Sequence, residues 1–326
     1  MADLTLLDLA NRTGSDPVIG LVESAISYAP ELSFFGVLPK KGTSYRVTRR
    51  TSLPTAQFTA NGAGVPTSKS TYVQETKDLY FMDTELEVPD SIVQGADDSI
   101  GDILAQEAEG AVQAAFFHLA QQIYYGGLTG SAVPSSYTVD SYGFPGIIDL
   151  ISGDSTYEIS AGGASGASTS AYLVAIHDQG ASLAASEGKD SSMTVQPWVK
   201  QQIIVSGSGT SSNPYKKTQG YVSAFNGWFG FTVANVYSVY RVSNIDPTHP
   251  LTDAMGNQLL SKIPTQFRKG LRWFMNEFGH FSLQQARSAV GYQPAGATGN
   301  PGYAPAPTEL ADQPITVTST ILNTEQ

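Results

Sequence analysis

The chain has 326 residues, of which 14% are charged, and 18 Lys and Arg against 29 Asp and Glu give it a formal net charge of −11. Because clustered Lys and Arg drive phosphate binding, this balance argues against a protein that grips nucleic acid. The absence of cysteine excludes disulfides and thiolate metal sites and is compatible with a reducing cytoplasm. The opening MADLTLLDLA lacks a basic n-region, and no apolar run approaches about eighteen residues, so we expect neither a signal peptide nor a membrane span.

The first thirty residues predict an arm followed by a short helix. Residues 1–15 form the arm, and Asp16-Pro17 then supplies an N-cap with proline at the first helical position. Apolar residues line one face of the following stretch, and Pro30 stops it. We therefore expect an amphipathic helix between these two prolines.

A hairpin is predicted next, with residues 45–49 running outward and residues 72–88 returning. The segment between them, residues 51–70, is rich in Thr, Ser, Ala and Gly, and Phe58 is its largest side chain. A loop of this length without its own helix is uncommon inside a compact domain and is usually functional or disordered. Because it has too few apolar side chains to bury itself, we predict that residues 51–70 lie on a neighbouring subunit.

Residues 97–127 carry the clearest helical pattern in the chain. Apolar residues recur there at spacings of three and four, which predicts a helix of about seven turns. Asp97 or Asp98 caps its start, Asp102 lies near the positive end of the helix dipole, and a Gly-Gly pair ends it. The last two turns are apolar nearly all round, so we expect this helix to place the following residues in the core: Leu104, Phe116, Leu119 and Ile123.

The second half of the chain predicts a mixture of strands and helices. Strands are predicted at 171–176, 198–205, 271–275 and 315–322, and helices at 251–262 and 281–290. The run 220–242 resembles a further hairpin with Asn226-Gly227 as its turn, because Asn-Gly is a strong short-range turn signal. A loop rich in Pro, Ala and Gly occupies 293–307.

The sequence contains no motif for nucleophilic catalysis, zinc binding or nucleotide binding. Each of the four histidines stands alone, and His118 on the long helix is expected to be packed rather than a ligand. A His177-Asp178 dyad has no marked nucleophile beside it. The acids between 75 and 109 fit no calcium loop, so a solvated or partner-facing surface is favoured. We therefore expect no catalytic, cofactor-binding or metal-binding residues.

The order of these elements resembles a tailed-phage major capsid protein of the Hong Kong 97 type. The parallels are an N-terminal arm, a long two-stranded extension (the E-loop), an acidic strand leading into a long spine helix, and a mixed α/β domain that ends the chain. Five short segments resemble the gp7-like branch of that family, and they follow one another along nearly the whole chain: LTLLDLANRT (4–13), AYLVAIHDQG (171–180), YRVSNID (240–246), LRWFMNEFGHFSLQQARS (271–288) and PITVTSTILNTE (314–325).

The resemblance implies an α+β protein with the Hong Kong 97-type capsid fold. It implies a structural shell subunit, with no enzymatic activity and no cofactor, that self-assembles in the host cytoplasm into hexamers and pentamers around double-stranded DNA in the virion. A separate scaffolding or decoration protein and a portal are candidate partners, and a membrane is not. The implied divisions are an N-terminal arm (1–39), an E-loop hairpin (40–76), a P-domain strand and spine helix (77–130), and an A-domain (131–326) with an insertion at 293–307.

Charge placement suggests how neighbouring subunits contact one another. Residues 40–50 contain five bases and no acid, whereas residues 75–109 contain eleven acids and one base. Such blocks are usually solvated faces. In the resembled family, the extension of one subunit lies across the spine-helix domain of the next, which would bring the two blocks together, although they could also pair within one chain. The hypothesis of an inter-subunit contact names these residues: Arg46, Arg49, Arg50, Phe58, Asp98 and Asp102.

Two other classes of protein remain as alternatives. A secreted or tail-associated adhesin would explain the Ser, Thr and Tyr-rich strands, but it should lack so long an amphipathic helix near the front. A hydrolase would explain the mixed α/β half, but it should show a nucleophile motif. Some capsid relatives cross-link their subunits through a lysine, and Lys69 is the only lysine near the predicted hairpin tip.

Overall fold

The computed structural model describes most of the chain between residues 29 and 325. The described ranges are 29–60, 63–64, 67–95, 100–130, 133–138, 140–151, 154–164, 166–177, 180–187, 193–206, 216–289 and 305–325. The predicted arm (1–15), nearly all of the short helix after it, and most of the 293–307 loop lie outside these residues.

The described residues form helices, strands and three 3-10 turns, at Pro30–Ser33, Val236–Ser238 and Thr265–Phe267. Helices α1 to α5 span Asp90–Gly95, Ile100–Tyr125, Ile147–Ile151, Asp253–Ser261 and Glu277–Ala289. Strands β1 to β14 span Val37–Lys40, Ser44–Ser52, Thr71–Asp78, Tyr80–Pro89, Glu158–Ser160, Thr169–Ala175, Ala181–Ser186, Thr194–Val195, Val199–Ser206, Lys216–Val233, Val239–Ile245, Leu271–Met275, Glu309–Leu310 and Gln313–Val317.

Two sheets and one separate hairpin organise these strands. The first sheet is built around β10, an 18-residue strand that pairs antiparallel with β4 along one edge and with β9, β8 and β7 along the other. Strand β1 adds to β7 in parallel. The second sheet has the order β13-β14-β12-β6-β11-β5. Strands β2 and β3 pair only with each other within the described chain.

The predicted turn at Asn226-Gly227 is wrong, because β10 runs straight through it and both residues pair with β4. Glycine serves a different purpose here. A Cβ atom on Gly227 would lie 2.8 Å from the ring of Phe229, so the residue allows a close approach rather than a change of direction. The chain turns after β10 instead, where the Asn235 side chain accepts a hydrogen bond from the amide of Tyr237 at 3.0 Å.

The predicted long helix is present as α2, and it ends at a left-handed glycine, Gly127, with φ of +79°. Its second half packs against both sheets. The ring of Phe116 lies edge-on to Phe225 of β10 with centroids 5.7 Å apart, and Tyr124 lies 4.9 Å from Tyr172 of β6. The four residues expected in the core have exposed fractions of 7% or less: Leu104, Phe116, Leu119 and Ile123.

The last strand ends at Val317, earlier than predicted, because buried side chains hold the segment that follows. Asn276 donates to Asn323 at 2.6 Å and to the carbonyl of Ile321 at 3.3 Å. Thr318 donates to the carboxyl group of Glu31 at 2.7 Å, and Thr320 donates to the same group. Burial raises the pKa of Glu31, and the two hydroxyl groups only partly offset that effect.

The end of the described chain is tied to the core by one ion pair. The carboxylate of Glu325 is 1% exposed and accepts a hydrogen bond from Arg241 at 2.9 Å. Two tyrosines also donate to it, Tyr125 at 2.5 Å and Tyr172 at 3.0 Å. Burial opposes the charge on Arg241, but the adjacent acidic groups keep its pKa above the ordinary value. Such a pair is costly to break because either partner would be left charged and buried.

We predict that Phe116→Ala lowers the free energy of unfolding by about 3–5 kcal/mol, because it leaves a cavity between α2 and β10. Denaturant titration measures the loss. Gln106→Ala, an exposed position on the same helix, is the control and should change stability by less than about 0.5 kcal/mol. A loss below about 1 kcal/mol for Phe116→Ala would show that the helix end is not packed as described.

Candidate functional site

Strands β2 and β3, with their connecting segment, form a protrusion that we call the hairpin (residues 44–78). Its register runs from Ser44 opposite Asp78 to Ser52 opposite Thr71. Every residue of β3 except Lys77 is exposed, so neither face of this strand is covered by its own chain. A two-stranded hairpin is at best marginally stable in water without a packed face. Strand β3 therefore has no packed face within its own subunit.

The hairpin is held at its root by a small apolar cluster. Tyr45 and Leu79 are buried against Ala184 of β7, with Val47 and Trp228 packed at the margin. The amide of Leu79 donates to the carbonyl of Thr43 at 2.7 Å, which closes the root where β3 gives way to β4. This anchor fixes the direction in which the hairpin leaves the body.

The outer part of the hairpin, residues 53–70, is called here the tip. Ser68 pairs with Thr55 through its side chain, which accepts from the amide at 2.9 Å and donates to the carbonyl at 3.1 Å. Leu53 is 71% exposed, and Phe58 is as exposed as in an extended peptide at 108%. An aromatic ring without any contact to its own chain is a candidate anchor for a partner.

The predicted basic residues lie on the outgoing strand β2. Arg46 is exposed and stands opposite Thr76, and the backbones of Arg49 and Arg50 are paired with β3. Among the predicted acidic partners, Asp102 is exposed in the first turn of α2. Asp98 lies outside the described residues. The hypothesis that these residues meet across a subunit contact stays a prediction.

The structure shows which side of strand β4 carries part of the acidic block predicted at residues 75–109. From Phe81 to Val88 of β4, residues with odd numbers are exposed and those with even numbers are covered by α2 and the core. The exposed face carries Asp83, Glu85 and Glu87, which we call the acidic face. Their neighbours across the sheet on β10 are Asn226, Ala224 and Val222, which carry no charge. The three carboxylates therefore form a negative stripe with no charged residue directly opposite it on β10. Strict alternation between residues 81 and 88 is the sequence signal that identifies it.

The histidines and acidic side chains of the described residues do not gather into a metal-binding cluster. No cluster of three or more His, Asp or Glu side chains there is suited to hold a metal ion. His118 Nε2 lies 3.7 Å from Asp140 Oδ2, and its ring stacks on Tyr137 with centroids 6.3 Å apart. The partner proposed for His177, Asp178, lies outside the described chain. No helix among these residues has the length and apolar character needed to cross a membrane.

Solved capsid structures are similar to this chain. A structure of bacteriophage Epsilon15 aligns with a TM-score of 0.59 at 16% identity, covering 89% of this chain and 86% of that chain. The bacteriophage JBD30 capsid aligns with a TM-score of 0.46 at 11% identity, covering 91% of this chain and 92% of that chain. A chain of Mycobacterium phage Adephagia aligns with a TM-score of 0.41 at 14% identity, covering 74% of this chain and 98% of that chain. No curated protein sequence matches the chain. The first alignment shows the Hong Kong 97-type capsid fold that the resemblance implied.

A match to a protein-family model identifies the family. Residues 38–278, which are more than half of the 326-residue chain, fit the model of the family described as Major capsid protein GP7. The matched region includes the hairpin, the acidic face, α2 and most of both sheets. The adhesin and hydrolase alternatives have no such support. The chain belongs to the GP7 family of major capsid proteins, and it is a structural subunit of a phage capsid shell.

Proposed function

We propose that copies of this chain assemble into hexamers and pentamers that close an icosahedral shell around double-stranded phage DNA, with the hairpin of each copy lying on a neighbouring copy. The observation that carries this proposal is the hairpin itself. It is long, it is covered on neither face of β3, and it ends in a fully exposed aromatic side chain. A neighbouring subunit supplies the missing packed face.

Electrostatic complementarity favours a second copy of the same chain as that neighbour. The hairpin leaves the body through a basic stretch that includes the exposed Arg46, and the acidic face of β4 presents three carboxylates to solvent. An isolated exposed ion pair contributes only about 0–1 kcal/mol. Pairs repeated at every subunit contact orient the encounter and raise its rate more than they raise the affinity of one contact.

The proposed role is structural throughout. The net charge of −11 suits a shell that surrounds DNA without binding particular sequences. In the proposed division, residues 44–76 of the hairpin belong to the E-loop (40–76), α2 belongs to the P-domain (77–130), and the second sheet belongs to the A-domain (131–326). The subunit assembles in the host cytoplasm and resides in the virion. Scaffolding or decoration proteins and the portal are separate chains that it contacts.

We predict that replacing residues 51–70 with a two-residue Asn-Gly turn gives a soluble, folded subunit that cannot close shells. The reason is that the tip contributes nothing to the buried core of its own chain but covers a neighbour. Circular dichroism and thermal unfolding verify the fold, and electron microscopy counts closed particles beside wild type purified in parallel. A normal yield of intact particles from the shortened chain would refute the proposed role of the hairpin.

We also predict that Arg49→Glu with Arg50→Glu blocks assembly without unfolding the subunit. Adding Asp98→Lys with Asp102→Lys should partly restore it, because the exchange recreates opposite charges across the contact. Lys216→Glu with Lys217→Glu is the matched control, since it makes the same change of charge at two exposed positions of β10. Light scattering at low salt measures the assembly rate. If the arginine variant assembles as fast as wild type, the two charge blocks are merely solvated faces.

A further inference from the structure

A cavity of about 540 Å³ opens beside the root of the hairpin. It lies between β3, the segment around α3, and the adjoining ends of β10 and β11. Its volume is within the range of pockets that enclose a bound group. Apolar side chains contributed by the body form most of its wall: Phe144, Leu150, Ile151, Phe231 and Val239.

Polar groups occupy the rim and one position of the wall. Glu75 and Lys77 of β3 form an ion pair of 3.1 Å at the rim, and Asp78 lies next to them. Thr232 also lines the cavity and is 3% exposed, and its side chain interacts with the Tyr45 hydroxyl group at the hairpin root. The cavity therefore has an apolar wall and a polar rim, which suits an apolar side chain whose polar surroundings stay at the margin.

The tip carries a side chain of that kind. Phe58 is 108% exposed and is the only aromatic residue between 53 and 70. Its ring is fully exposed, so it does not occupy the cavity of its own chain. The paired strands run outward from the root as far as Ser52, roughly 25 Å from Ser44 in extended conformation, and carry the tip away from that cavity. This direction favours the cavity of another copy.

We propose that Phe58 of one copy inserts into the cavity at the hairpin root of a second copy. This inference rests on the proposed assembly and names the contact through which the hairpin acts. The tip and the root are different surfaces of the same chain, so the contact is head-to-tail. Such a contact closes into a ring when the rotation between neighbours permits it. The length of the hairpin then sets the spacing between neighbouring subunits.

The charges near the two surfaces agree with this pairing. Lys69 is the only charged residue of the tip, and the rim carries two acids against one base. The positive charge of the tip therefore meets a rim whose net charge is negative, and the two surfaces do not repel each other. The ring of Phe58 packs against the apolar wall of the cavity, while Lys69 stays at the polar rim. Other interfaces have the same arrangement of a central apolar anchor and a polar rim.

Disulfide formation between copies tests the contact directly, because the chain contains no cysteine of its own. Thr59→Cys with Leu150→Cys places one thiol beside Phe58, which is kept, and the other at a cavity residue that is 47% exposed. Thr59→Cys with Phe281→Cys is the matched control, since Phe281 is 63% exposed on α5 and does not line the cavity. Assembled particles are oxidised and analysed by non-reducing electrophoresis. We expect a ladder of linked chains for the first pair and single chains for the control.

Phe58→Ala provides a second measurement that needs no cross-link. It should raise the protein concentration needed for half-maximal assembly by about tenfold or more, as expected for the loss of one buried aromatic side chain per contact. Leu53→Ala, at another exposed apolar position of the tip, should have a smaller effect.

The outcomes separate this inference from the proposed function. Intact shells without a 59–150 disulfide, a control pair that links as efficiently, or wild-type assembly by Phe58→Ala would each overturn the insertion of Phe58 and leave the shell function standing. Failure of the wild-type chain to form any shell or ring would contradict the proposed function, and the inference would fall with it.

Discussion

The contact between the second half of α2 and the central strand β10 is the interaction on which the rest of the fold depends. Phe116 meets Phe225 there with ring centroids 5.7 Å apart, and both rings are buried. Because β10 carries β4 on one edge and three strands on the other, the position of the helix determines the position of the acidic face. The same helix ends at Tyr125, whose hydroxyl group holds the closing segment through Glu325.

The hairpin contrasts with this self-sufficient body. Its root, at Tyr45 and Leu79, is packed by its own chain, while β3 and nearly all described residues of the tip face solvent. We propose that a neighbouring copy packs this uncovered part, and that each subunit folds before it assembles. Extensions of this kind gain order from the partner that they bind.

The sequence predicted the long helix and several strands because each has a strong local period. It also predicted the hairpin, but the returning strand expected at 72–88 is divided: β3 pairs with β2, and β4 pairs with β10 in the first sheet. Prediction from the sequence was wrong where contacts between distant residues determine the local structure. Asn226-Gly227 has turn chemistry, but ladder pairing with β4 and the nearby ring of Phe229 keep that stretch extended. Strand β7 was missed because ASLAAS is small and buried on both faces, so it shows no alternation. The cavity could not be predicted, since its wall joins residues from distant parts of the chain. The alternation of residues 81–88 in the sequence indicates that one side of this strand is the acidic face.

We propose that each subunit packs its body by itself and packs its hairpin only against a neighbour. Amide hydrogen exchange, compared between unassembled subunits and closed shells, tests this division. We expect amides of β2 and β3 to exchange rapidly in the subunit and at least about tenfold more slowly in the shell, while those of the second half of α2 and of β10 are protected in both. Slow exchange of β2 and β3 in the unassembled subunit, or an unchanged rate after assembly, would show that the hairpin does not depend on a neighbour.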